Sequence, residues 1–292
     1  MRYFLAPDFE ALLKYNNINM CVLSQQAMEV LDDNVYRFSL LGENFQKNCK
    51  EQHKDCSKDE CLHVFIVKKQ FESRADFFRS GFFSVLKRFF LKYSVPLLSL
   101  RTSQGRLWSE LNNIKTLQSR EIATVDAVFY SEVQTALGVD SMLITRLLKE
   151  YTPLTEMLSQ WLFMSRDQQH QLLYECGVLI GRLHAQRLSH NACRPENIIV
   201  NLDLKPAVKF ISLSRVKFNW MPRYSAISDL VEFMTCCDFG VGFDPNSSQG
   251  AVNRESMLEV LLKAYLNTFP MGLTMSGVKM RLTARMGKAW SL

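Results

Sequence analysis

The chain of 292 residues contains no apolar window approaching the ~18–20 residues needed to cross a bilayer, so any membrane association is expected to be peripheral. Its opening stretch, MRYFLAPDFEALLKYNN, meets Asp8 and Glu10 before any long apolar run, which argues against a secretory leader. The eight cysteines are too few and too unevenly spaced for a secreted disulfide scaffold. Cys176 and Cys193 lie in otherwise core-like segments, and a reducing cytoplasm is the expected location. The excess of one charge sign is also small. The net charge is +6, with much of the excess between residues 68 and 106, a bias toward anionic surfaces too small to choose between lipid and nucleic acid. What is present is a chain 47% hydrophobic and 22% charged, long enough to bury the core of one large domain or two small ones.

The most informative stretch is RLHAQRLSHNACRPENIIVNLDLKPAVKFISLSRVKF, residues 182–218. Leu172, Leu173, Cys176, Leu179, Ile180 and Leu183 recur at helical spacing behind a capping Ser165, which predicts a helix from Asp167 to Leu188. His184 on this helix reads as a satisfied core histidine rather than a ligand. A loop then carries His190 to Asn197. Two β-type runs follow, Ile198 to Val200 and Ala207 to Ser212, joined by the turn Asp203-Leu204-Lys205-Pro206.

His190-Asn191-Ala192-Cys193-Arg194-Pro195-Glu196-Asn197 resembles the protein-kinase catalytic loop H-R-D-L-K-P-E-N, with five of eight positions identical or conservative. Phe210-Ile211-Ser212-Leu213-Ser214-Arg215 resembles the I-D-L-x-R segment that bacterial lipopolysaccharide kinases of the Kdo/WaaP type (InaA-like) have where eukaryotic kinases have D-F-G. The resemblance implies an α+β, bilobal protein-kinase-like fold. Residues 1–148 would form a small β-rich N-lobe and residues 149–292 a larger helical C-lobe.

It also implies roles that this chain cannot fill. Ala192 stands where the catalytic base would be, and Ser212 where a carboxylate would hold Mg²⁺ against the nucleotide phosphates. A methyl group is no base, and a serine hydroxyl is a weak ligand for a hard cation. Asn197 would bind a second Mg²⁺, and His190 and Asp229 would support the loop, with Asp229 starting the next core helix. In the N-lobe, Lys68 at the end of the strand Leu62 to Phe71 would hold phosphates. Glu110, on a helix from Gln104 to Leu117, would be its partner, and Leu147 would line the adenine slot. ATP and Mg²⁺ binding is therefore expected to be weak or absent.

Elsewhere the pattern reads as a helix within residues 5–32, a first strand from Val35 to Leu41, and a pair of strands at Ile122 to Phe129 and Ser141 to Leu148 about a turn at Leu137 to Asp140. Gly42 to Gln46, where a phosphate-wrapping loop would lie, holds one glycine and the repelling Glu43. Residues 245–251 read as a loop, Ser256 to Phe269 as a helix, and the tail as basic and partly helical. Cys49, His53, Cys56 and Cys61, with His63, invite a zinc site, but the spacing fits no common zinc pattern, and a solvated loop is the plainer reading, with a redox switch as a third. Within the insertion at about 75–98, a helix from Phe82 to Tyr93 would place Phe82, Phe89 and Phe90 on one face and leave Lys87, Arg88 and Lys92 outside it. Such a helix either lies on anionic lipid or packs on its own N-lobe.

Three functional readings result. The first is a pseudokinase that binds anionic lipid, a lipopolysaccharide precursor at the inner-membrane face, or a protein partner. The second is a working lipopolysaccharide-core sugar kinase that draws on Asp203, Asp229 or Glu196. The third, an aminoglycoside-type phosphotransferase relative or a nucleic-acid binder, has only the basic charge and the loop pattern behind it.

Overall fold

The run Leu62 to Phe71 places Phe65 and Val67 on one side of an extended chain, and both are fully buried. In the computed structural model this run is a strand, β4, and it continues to Ser73. The structure describes residues 2–15, 29–32, 35–41, 62–73, 106–134, 138–220, 222–237, 259–270 and 275–286. Outside them lie Gly42 to Gln46, Cys49, His53, Cys56 and Cys61, the insertion with Phe82, Lys87, Arg88, Phe89, Phe90 and Lys92, and the 245–251 loop. The chain divides into two units, Met1–Leu111 with Asp126–Leu148, and Asn112–Val125 with Lys149–Leu292.

The first unit is an antiparallel sheet with helices. Its elements are β1 (Arg2–Leu5), α1 (Pro7–Tyr15), β2 (Glu29–Asp32), β3 (Val35–Leu41), β4, the start of α2 (Arg106–Ser119), β5 (Ala127–Gln134) and β6 (Gly138–Arg146). The strands are ordered β1-β5-β6-β4-β3-β2. Phe9 and Leu13 of α1 pack on Phe65, Val67, Val128, Phe129 and Ile144, with the Phe9 and Phe65 rings edge to face at 5.0 Å. Phe9, Leu13 and Phe65 are among the largest fully buried side chains, so this cluster anchors the sheet unit.

The helix expected within residues 5–32 is α1, Pro7–Tyr15, and the strands β1 before it and β2 after it in the chain were not expected. β1 exists because β5 offers it a free edge, with Leu5 opposite Phe129. A strand made by a distant partner leaves little mark on its own four residues. Val35 to Leu41 is accordingly the third strand. The later hairpin is also shifted: β5 starts at Ala127 rather than Ile122, and Gly138 begins β6 rather than sitting in the turn.

The second unit is built on α4 (Arg166–Ala185), preceded by β7 (Thr152–Pro153), α3 (Leu154–Ser159) and a 3-10 turn at Trp161–Phe163. Ser165 caps α4 with a full capping box: its hydroxyl accepts from the Gln168 amide, and the Gln168 side chain accepts from the Ser165 amide. The helix stops three residues short of Leu188, which belongs to the two-residue strand β8 (Leu188–Ser189). β9 (Ile198–Val200) and β10 (Val208–Phe210) pair antiparallel, and β11 (Lys217–Phe218) pairs with β8. The β10 run is shorter than Ala207 to Ser212. Then come α5 (Pro222–Cys236), α6 (259–268) and α7 (Met275–Met286). A Cβ on Gly177 would meet the Leu261 carbonyl oxygen at 2.4 Å, and one on Gly181 would meet Thr268 Cβ at 2.8 Å. Glycine is what lets α4 and α6 approach backbone to backbone.

Candidate active site

In the sheet unit, the alternation that buries Val67 turns Lys68 to the other face, opposite Leu143 of β6. Its Nζ donates to Glu110 Oε1 at 2.6 Å. Glu110 lies between the buried Leu107 and Leu111 and is itself only 4% exposed, a position in which a carboxylate needs a partner. Lys68 supplies it while keeping 23% of its side chain accessible. The ammonium therefore retains donors for a second anion. Leu147 follows β6 and is half-buried.

In the helical unit, the loop is held from behind. Asp229, in the middle of α5 rather than at its start, is buried and meets three donors. Its Oδ2 accepts the His190 amide at 2.7 Å, and its Oδ1 accepts the Asn191 amide at 2.9 Å. His184 Nε2 lies 3.0 Å from Oδ2, and His184 Nδ1 lies 2.9 Å from the Tyr265 hydroxyl. With Nε2–H given to the carboxylate, Nδ1 is the atom that can accept the Tyr265 proton. Burial, and then Asp229, keep the Tyr265 phenol un-ionised. The His190 ring stacks at a tilt on Phe210 with 5.0 Å between centroids. Among the described residues neither of its nitrogens finds a partner of hydrogen-bonding geometry, although the backbone of Ile211 lies close enough to act on it electrostatically. Burial lowers its pKa against the opposing pull of Asp229.

The front of the loop is tied to itself. Asn197 Nδ2 donates to the Ala192 carbonyl at 2.9 Å, and the Ile211 amide donates to the Asn197 carbonyl at 2.9 Å. The Ala192 side chain is buried. Ser212 sits in the left-handed region at φ 56° and ψ 56° and makes no capping bond to the 3-10 turn at Leu213–Arg215. Asn113, a residue that sequence reasoning passed over, steadies that turn by donating to the carbonyls of Leu213 at 2.7 Å and Val216 at 3.0 Å. Thr124 does the same for Phe210, its hydroxyl donating to the carbonyl at 2.9 Å. Tyr265 was missed as well, since no signal in its own helix marks a polar contact to α4.

Among the described residues, the acidic groups nearest the loop in sequence are engaged elsewhere or exposed. Glu232 takes the Arg194 guanidinium at 2.8 Å, and Glu196 lies 3.6 Å from the same side chain. Asp203 is exposed in the β9–β10 turn, where its amide donates to Asn201 Oδ1. Among the described residues no group of three or more His, Cys, Asp or Glu side chains could hold a metal ion. Beside Asn197, the two positions that the resemblance assigns to carboxylates hold Ala192 and Ser212, whereas Mg²⁺ wants at least one carboxylate beside the substrate phosphates. Cys193 in the loop is no substitute nucleophile. Burial pushes its thiol up, as it does those of Cys176, to about 12, and Cys237.

Residues 85–235 match the family model described as the lipopolysaccharide kinase (Kdo/WaaP) family. The match covers Glu110, Ala192, Asn197, Ser212 and Asp229 and begins after Lys68. Among solved structures, "WaaP in complex with acyl carrier protein" is similar over 99% of this chain and 100% of that one, with a TM-score of 0.54 at 15% identity, a likeness of fold. No curated protein sequence matches. No helix among the described residues is long and apolar enough to cross a membrane.

Proposed function

The chain belongs to the lipopolysaccharide kinase (Kdo/WaaP) family, whose model spans more than half of it, and from that premise we propose that it is a pseudokinase, a kinase-type protein that binds rather than phosphorylates. One observation carries this reading. The loop is fastened in place by Asp229 and Asn197, yet the positions that resemble the catalytic base and the metal carboxylate hold Ala192 and Ser212. Asp229 is no substitute, because its oxygens already receive three donors deep in the unit. Loss of a general base alone lowers rate by roughly 10²- to 10⁴-fold.

The Lys68–Glu110 pair supports a second reading, a slow kinase acting on a lipopolysaccharide core sugar with unusual carboxylates. Phosphoryl transfer depends mostly on positioning and electrostatics, and that pair is one of its parts. Thermal shift and acceptor labelling together separate the two: a working kinase gives a Mg²⁺-dependent shift with ATP and labels a lipopolysaccharide acceptor, with the labelling lost in Lys68→Ala, whereas a pseudokinase gives no labelling.

For a partner, the neighbour of similar fold is bound to acyl carrier protein, and we propose a protein of that kind here. Purified acyl carrier protein should co-elute with the chain. Contact with anionic lipid through Phe89 and Lys92 is the other binding mode consistent with the sequence. Flotation with anionic vesicles, lost in Phe89→Ala, is its test.

A further inference from the structure

Helix α7 turns one side to its own unit and the other to solvent. Val278 and Leu282 are buried, whereas Ser276, Met280, Arg281, Ala284 and Arg285 are exposed. Residues four apart on a helix lie one above the other, so Ser276, Met280 and Ala284 form one row and Arg281 and Arg285 the row beside it. Lys279 leaves on the far side of the helix, where it donates to Glu259 of α6 at 2.8 Å.

The arginine row is held and uncompensated. The Arg285 guanidinium lies over the Tyr224 ring of α5, 4.4 Å from its centroid, and Tyr224 is 69% exposed. Contact with a ring steadies a long side chain while leaving its N–H donors for an anion. Among the described residues neither Arg281 nor Arg285 meets a carboxylate. The sequence around them supplies none either. From Val260 to Leu292 it carries Lys263, Lys279, Arg281, Arg285 and Lys288 but no Asp or Glu, in a chain where 29 acidic residues in 292 is about one in ten. Like charges one turn apart repel, and an anionic surface turns that repulsion into attraction.

We propose that this side of α7 rests on an anionic phospholipid surface, with Arg281 and Arg285 on headgroup phosphates and Met280 and Tyr224 at the same level. Charge complementarity selects an anion, and guanidinium donors match phosphate oxygens in pairs. The shape selects the lipid. Ser276 and Ala284 make the row beside the arginines a smooth, convex surface, unlike the pockets that hot-spot side chains of a protein partner fill. Met280 is 68% exposed, and a headgroup layer accommodates its apolar chain and the amphipathic ring of Tyr224. A second copy of the chain would bring the same cations. The surface is separate from the contact through Phe89 and Lys92, and it stands whether or not the chain transfers phosphate.

The test is flotation of the full chain with vesicles of phosphatidylcholine alone or mixed with phosphatidylglycerol. The chain should float with the mixed vesicles only, and less as salt rises. Arg281→Gln with Arg285→Gln should weaken binding about tenfold or more, whereas Arg281→Lys with Arg285→Lys, which keeps the charge, should retain most of it. Tyr224→Ala should weaken it about threefold, and Tyr224→Phe, which keeps the ring, should match wild type. These positions are exposed, so the thermal midpoint of each variant should match wild type as well. Equal flotation of wild type and the double Gln variant overturns the proposal, and if Phe89→Ala alone removes flotation, the lipid contact belongs to the insertion instead. Equal binding to neutral vesicles overturns it too. So does soluble poly-glutamate that binds as tightly as the mixed vesicles and is lost in the double Gln variant, since the partner is then an acidic protein.

Discussion

Asp229→Asn tests how the loop is held. The carboxylate receives donors at 2.7, 2.9 and 3.0 Å, from two backbone amides and an imidazole, all in the interior. A hydrogen bond to a charged group contributes about 1.5–3 kcal/mol, and a neutral one about 0.5–1.5 kcal/mol. Asparagine keeps one oxygen and replaces the other with an NH₂ that must face a donor. The expected cost is therefore about 2–4 kcal/mol, well short of the full loss that alanine would impose on three buried donors. Against a total stability of ~5–15 kcal/mol the variant should fold but be visibly weakened. Urea denaturation reads the loss, and amide hydrogen exchange locates it: His190 and Asn191 should lose protection. Tyr265→Phe removes only the outermost bond of the chain and should cost about 1 kcal/mol. Combining it with Asp229→Asn should be less than additive, because both act through His184. An unchanged midpoint in Asp229→Asn, with both amides still protected, refutes the reasoning.

Further outcomes follow from other parts of the structure. Stability should fall as pH drops below the usual imidazole value of 6.5, because burial lowers the pKa of His190 and the unfolded state then binds the extra proton; it levels off below the folded value, and His190→Phe should flatten this limb in urea titrations at a series of pH values. Gly177→Ala should cost about 1–3 kcal/mol, since the obstacle is the Leu261 carbonyl and not a yielding side chain, with the Tm lower by roughly 3–10 °C by calorimetry. Glu110→Gln should weaken the link to Lys68 and lower stability by about 1–2 kcal/mol, an effect that a denaturation curve resolves.

How much of this was legible in the sequence depended on where each cause lay. The α4 start could be read because cap and periodicity sit together: Ser165, Gln168 and the Leu172 to Leu183 stripe are all local. Strand β4 was legible for the same reason, through its dense β-branched and aromatic run. The two strands around the N-terminal helix were not, because β1 and β2 are strands through pairing with β5 and β3. Ile122 is buried, which invited a strand, but the chain there is a connector whose Thr124 makes a single bridge to Phe210. At the site, residue identities could be read from the loop pattern while their engagement could not. That Asp229 serves two amides and a histidine, or that Asn113 clasps Leu213, depends on helices 38 to 100 residues away in the chain.

Phosphate transfer itself is the most direct test. Purified chain, γ-labelled ATP, Mg²⁺ and a lipopolysaccharide acceptor should yield no label above the level of Lys68→Ala. Mg²⁺-dependent labelling of the acceptor that Lys68→Ala removes would contradict the account, since it would mean that a carboxylate serves the site despite Ala192 and Ser212.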